Sequence, residues 1–190
     1  MSAGKQPGLA DASASTLVLM DIQTRLTAAM PAKVLARLQR NCGHLIRSAS
    51  LLDIPVFASE QYPGGLGQLE PEISRLLPGS ARCYEKTSFS LAGVPAFLAD
   101  LAQTGRSQVV LCGMEAHICI LQTAIDLVHA GYEVFVVADA VCSRFRESYE
   151  TALDRMGLSG VAITDSESVL FEWLRDAAQP HFKPLQALIR

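Results

Sequence analysis

The sequence is poor in the features that mark several large functional classes. Its formal net charge is −3 and charged residues make up 18% of the chain. No basic run is present, which argues against a nucleic-acid binder that works by broad phosphate neutralisation. Aromatic residues are only 6%, and no exposed-looking stack of them provides a base-stacking platform. No apolar run approaches the length of a membrane span. The opening segment MSAGKQPGLADASAST is small and polar, without the apolar core of a signal peptide. Neither CxxC nor HExxH occurs, and His44, His129 and His181 are scattered, so no paired zinc or iron site is expected. The first strand-like run leads into MDIQTRL and not into GxGxxG, so close pyrophosphate approach of the dinucleotide-binding kind is disfavoured.

There are five cysteines, an odd number without close pairing and a poor disulfide framework. Cys42, Cys83, Cys112 and Cys142 sit in or beside apolar runs, as reduced packed thiols do. The expected compartment is therefore the cytoplasm, with an organelle interior left open.

What is present is an alternation of short β-rich runs and longer helical stretches. A length of 190 residues suits a single domain. The reading takes 1–190 as that domain, with 1–15 a flexible lead-in and 178–190 a C-terminal tail. Strands are expected at Thr16–Met20, Pro55–Ser59, Arg82–Glu85, Gln108–Cys112, Glu133–Ala138 and Val161–Thr164. Their short apolar character suits parallel strands covered on both faces. Val34, Leu38, Cys42, Leu45, Ala49 and Leu52 recur at three or four, which is the buried stripe of a helix. Pro95 opens a second helix ending near Gly105, and a third is expected from about Cys119 to Ala130, stopped by Gly131. Thr164 and Glu167 have capping-box spacing before a fourth. The fold class is thus α/β: a three-layer α/β/α sandwich around a mostly parallel six-stranded sheet, with right-handed crossovers. A strand order of 3-2-1-4-5-6 puts the default ligand crevice beyond the carboxyl ends of the first and fourth strands.

Three reactive side chains fall at those ends. Asp21 follows TLVLM, Lys86 closes CYEK, and Cys119 follows VVLC at an expected helix start. A helix terminus and a nearby Lys86 favour thiolate at Cys119. Asp21 is suited to accept the thiol proton and return it to a leaving group. Backbone N–H groups of the Gly113–Cys119 turn are candidates for facing an oxyanion. Gln23, Gln61, Tyr62 and His117 flank these residues and are candidate substrate contacts. His117 reads equally as a second base or as turn packing. Each residue alone has a plainer reading as a packed thiol, a turn cap or a surface charge. Their common edge of the sheet is what raises the chemical one.

LVLMDIQ at 17–23, EKTSFS at 85–90 and VVLCGMEAHICILQTAIDLVHAGYEVFVVADAV at 109–141 resemble the isochorismatase-like cysteine hydrolase family. EQYPGGLG at 60–67 resembles its subgroup of isochorismatase domain-containing proteins. The resemblance implies an Asp21–Lys86–Cys119 triad, a cis Met114–Glu115 bond and an oxyanion hole from the backbone of Glu115 and Cys119. It implies a Rossmann-like topology, a small-molecule substrate and a homo-oligomer. Nicotinamidase-type relatives carry an Asp-x-His metal motif where this chain has ASEQYPGG, so the expectation is no metal and no cofactor. The retained cysteine favours attack at an amide, carbamoyl or nitrile carbon through a covalent intermediate. An idle binding or scaffold protein, or a redox-active thiol protein, are the competing readings.

Overall fold

A computed structural model describes residues 8–189. The strands are β1 (Ser15–Met20), β2 (Val56–Gln61), β3 (Arg82–Lys86), β4 (Gln108–Met114), β5 (Glu133–Cys142) and β6 (Ala162–Thr164). They form one sheet in the order β3-β2-β1-β4-β5-β6, and every pairing is parallel. Order and class therefore agree with the sequence reading, and the sheet is wholly parallel. Each of β1, β2 and β4 is buried along its whole length. That is why their residues run apolar without alternation, since both sheet faces are covered.

The helices are α1 (Thr24–Thr27), α2 (Ala32–Leu51), α3 (Pro63–Leu66), α4 (Pro71–Ser74), α5 (Pro95–Gln103), α6 (Leu121–His129), α7 (Arg146–Leu158), α8 (Ser166–Leu174) and α9 (Phe182–Gln186). They separate into two layers. One core joins Leu38, Cys42, Leu45 and Ala49 of α2 and Val169, Leu170 and Trp173 of α8 to Leu17, Leu19 and Val110 of the sheet. The other joins Phe97 and Leu101 of α5, Leu121 and Leu127 of α6 and Met156 of α7 to Val18, Met20 and Leu111. Alternate residues of β1 thus feed opposite cores, as the two-residue period of a strand requires.

Three expectations are revised. The lead-in is anchored from residue 8 onward where bonds are given: Ala10 is buried, its N–H donates to Glu172, and the Asp11 N–H donates to Gln108 Oε1 at 2.7 Å. Residues 1–7 of that call lie outside the described residues. The tail folds back on its own domain, because Leu185 is buried and Ile189 packs against the α2 core. The cap of α8 is Asp165, whose carboxylate accepts from Ser168 N–H at 2.9 Å. The carboxylate one residue later sits at the N-cap and reaches the N3 amide, so the Thr164–Glu167 box does not form.

Candidate active site

The carboxyl ends of β1, β3 and β4 bring the expected residues together. Asp21, the first residue after β1, is fully buried and has φ of 55°. Aspartate tolerates this left-handed turn better than most L-residues, and the turn lets Asp21 N–H donate to Ser59 O at 3.0 Å. Gly113 makes the neighbouring register possible. Its φ is +120°, and a Cβ there would lie 2.1 Å from the Met20 carbonyl oxygen, so no larger residue fits between β1 and β4.

Lys86 ends β3, and its side chain is wholly shielded from solvent. Its ammonium donates to Asp21 Oδ2 at 2.8 Å, Gln61 Oε1 at 2.6 Å and the Phe89 carbonyl at 3.1 Å. All three donors of the ammonium are therefore used. The second oxygen of Asp21 accepts from Ser59 Oγ at 2.7 Å. Burying such a pair is tolerable because its remaining hydrogen-bonding capacity is filled by the protein.

Cys119 does not open a helix. The chain passes through the cis Met114–Glu115 bond into a π-helical turn, Ala116–Ile120, that precedes α6. Cys119 sits late in that turn and is 6% exposed, with Gln61 Oε1 3.9 Å from its sulfur. Burial first and the Asp21 charge second push its thiol from the ordinary 9.0 up to about 12, with Lys86 acting in the other direction. Burial and Asp21 thus oppose the thiolate that a helix terminus and Lys86 were expected to favour. Lys86 spends its charge on Asp21, and desolvation together with that carboxylate outweighs what remains.

The other candidates divide. Gln61 belongs to the site: its carbonyl oxygen faces Lys86 and Cys119, and its amide donates to Thr87 O at 2.8 Å. Gln23 is a brace: its side chain bonds Gln61 O, Gly67 O and Gln61 N–H, which fixes the 61–67 loop and leaves no free amide for a ligand. Tyr62 is largely exposed on that loop, immediately after Gln61. His117 turns to Ser143, 2.9 Å from Nδ1. The Glu115 carboxylate accepts from Arg144 N–H at 2.9 Å and Nε at 3.2 Å, holding the start of the π-helical turn to the end of β5. Sequence reasoning missed Ser59 and the Phe89 carbonyl. Ser59 sits in ASEQ at the end of the strand expected from sequence, which was a readable signal; a backbone acceptor leaves none. Among the described residues, no group of three or more His, Cys, Asp or Glu side chains is placed to hold a metal ion. In the ASEQ segment, Ser59, Glu60 and Gln61 are engaged with Asp21, Leu69 N–H and Lys86.

The model of the isochorismatase domain matches residues 15–168, a span holding all three reactive side chains. The chain belongs to the isochorismatase family. Zebrafish isochorismatase domain-containing protein 1 is 44% identical over 147 residues, covering 77% of this chain and 51% of that protein. The chain thus spans about half the length of this curated relative. A secreted isochorismatase effector, Isc1 of Phytophthora sojae, is 35% identical over 196 residues, covering 100% of this chain and 90% of that protein. Among solved structures, the MAR1 ribonuclease of Caenorhabditis elegans superposes with a TM-score of 0.90 at 32% identity, over 96% of this chain and 92% of that one. No described helix is long and apolar enough to cross a membrane.

Proposed function

We propose that the protein is a metal-independent cysteine hydrolase that cleaves a C–N bond of a small amide, carbamoyl or nitrile-like substrate. The observation that carries this reading is the buried Lys86–Asp21 pair at 2.8 Å beside the thiol of Cys119. A carboxylate fixed by Lys86 and Ser59 is oriented to take a proton, and a protonated thiol has one to give.

In the amide case, the Cys119 sulfur attacks the carbonyl carbon as its proton passes to Asp21. A C–S bond forms and the C=O π pair moves onto oxygen, facing the backbone N–H groups of Glu115 and Cys119. Collapse breaks the C–N bond, and the protonated Asp21 gives its proton to the departing nitrogen. Water, deprotonated by Asp21, then attacks the thioester and the thiol is restored. Lys86 remains an ammonium throughout and holds Asp21 in place. A thiol at about 12 suits this concerted transfer, because the nucleophile is generated only when substrate is seated.

The test is a screen of small amides, carbamoyl compounds and nitriles, with a single-stranded RNA included because of the ribonuclease neighbour. The expected result is ammonia or amine release by wild type and none by Cys119→Ala. Intact-mass measurement during turnover should show an acyl adduct on the wild type alone. Turnover by Cys119→Ala at the wild-type rate would reject the mechanism. No turnover on any substrate would favour the idle binding reading. The homo-oligomer is part of the same proposal, checked by light scattering of the purified protein.

A further inference from the structure

The outer side of α2 carries a charged notch that the proposed chemistry does not use. Arg40, His44 and Arg47 lie along one face of α2, with Gly43 between them, and Glu72 and Arg75 form the opposite wall; the cavity measures about 540 Å³. The buried stripe of α2 packs against the sheet face opposite the one that receives Cys119, so the notch is separate from the reactive thiol. Gly43 lets the two walls come together at the base of the notch, since Leu76 lies 3.3 Å from where its Cβ would stand.

The arginines in this notch are not neutralised. Elsewhere among the described residues, Arg82, Arg144 and Arg146 pair with Asp100, Glu115 and Glu150. Arg40 donates to the neutral Asn41 Oδ1 at 3.2 Å and Arg75 to the Pro71 carbonyl at 2.9 Å, and neither they nor Arg47 forms an ion pair among the described residues. Within the notch three guanidinium groups face one carboxylate, Glu72, a local surplus of two positive charges, while Arg40 and His44 also border the adjoining depression that holds Asp139, Asp165 and Glu167, on a chain whose net charge is −3. His44 lies in the same notch. Its pKa is lowered first by burial and then by Arg40 and Arg47, with Asp139 acting in the other direction.

We infer that this notch is a binding site for a small phosphorylated ligand, one carrying two adjacent phosphoryl groups. The charge surplus matches a diphosphate better than a lone carboxylate. The guanidinium fork fits phosphate oxygens two at a time. Arg40 and Arg47 are seven residues apart, about 10 Å along the helix axis, so they approach an extended anion from its two ends while Arg75 meets it from across the notch. Three exposed arginines around one notch supply a local contact, without the continuous basic track that a nucleic acid requires.

The experiment is isothermal titration calorimetry with sodium pyrophosphate at constant ionic strength. Saturable one-to-one binding is expected, weakened at least tenfold in Arg47→Gln/Arg75→Gln and unchanged in Arg146→Gln, with circular dichroism confirming that each variant is folded. ADP distinguishes the source: tighter binding than pyrophosphate assigns a nucleotide, weaker binding a free anion. The inference is overturned by absent saturable heat, by undiminished binding in the double variant, or by an oligoglutamate peptide that binds more tightly than pyrophosphate. None of these readouts depends on turnover, so the site and the hydrolase reading stand or fall separately.

Discussion

Cys119 and Cys142 are two buried thiols with opposite surroundings. They are 6% and 1% exposed, and burial pushes both to about 12. Cys142 faces Met30 Sδ at 3.7 Å in a sulfur-rich part of the α2 core that also holds Cys42 and Cys112. Cys119 faces a carboxylate, an ammonium and the Gln61 carbonyl oxygen. Burial and a raised pKa therefore do not single out a nucleophile. What separates the two is hydrogen-bonding reach: Asp21 and Lys86 both act on Cys119 through hydrogen bonds, whereas Glu115 and Arg37 act on Cys142 through their charge alone.

The sharpest break in that comparison comes from truncating each thiol. Cys119→Ala should lower turnover by at least about 1,000-fold, whereas Cys142→Ala should leave kcat near wild type and lose stability only. Adding Asp21→Asn to Cys119→Ala should cost little more, since residues that act as a unit are grossly non-additive. Steady-state kinetics on a substrate from the screen measure all three.

Charge removal gives the next largest effect. Lys86→Met strands the Asp21 carboxylate in the interior and should destabilise the fold by about 3–5 kcal/mol. The double variant Lys86→Met/Asp21→Asn should recover a substantial part of that loss while staying inactive. Urea denaturation of the single and double variants checks it; an unaltered midpoint for Lys86→Met would mean the pair is not desolvated.

Removing the Ser59 hydroxyl should have a smaller consequence. Ser59→Ala takes away one hydrogen bond to a buried carboxylate, worth roughly 1.5–3 kcal/mol, and should reduce kcat more than it changes KM. An effect confined to KM would move Ser59 from positioning Asp21 to binding substrate.

The smallest effect concerns resting reactivity. Cys83 is exposed and its thiol rises to about 11, below Cys119 at about 12. Iodoacetamide at neutral pH should therefore label Cys83 several-fold faster than Cys119. The sign for stability follows from the same shifts. With folded pKa values above the ordinary 9.0, Cys119 and Cys142 stabilise the fold below pH 9 and lose that contribution as pH rises toward 12. Denaturation midpoints should fall across that alkaline window, less steeply in Cys119→Ala.

Much of this was legible in the chain. Short β-rich runs between helical stretches gave the strands, and residues at or just after their ends gave Asp21, Lys86 and the neighbourhood of Cys119, because strand ends in a parallel sheet share one edge. The thiolate was not legible. Its charge balance depends on Lys86 already being committed to Asp21, Gln61 and Phe89 O, a three-dimensional count of donors against acceptors. Gln23 was misread as a ligand contact for the same reason, since a glutamine at a strand end looks free until its loop folds over it. The sequence by itself determined the layers and which side chains follow the strands, since these follow from periodicity and chain direction; the strand order was an expectation of the fold class that periodicity does not supply. Only the tertiary structure decided that Cys119 rests protonated in a π-helical turn, that Ser59 supports Asp21, and that three arginines from α2 and residues 72–76 share one notch, because desolvation and hydrogen-bond partners depend on segments brought together from distant parts of the chain.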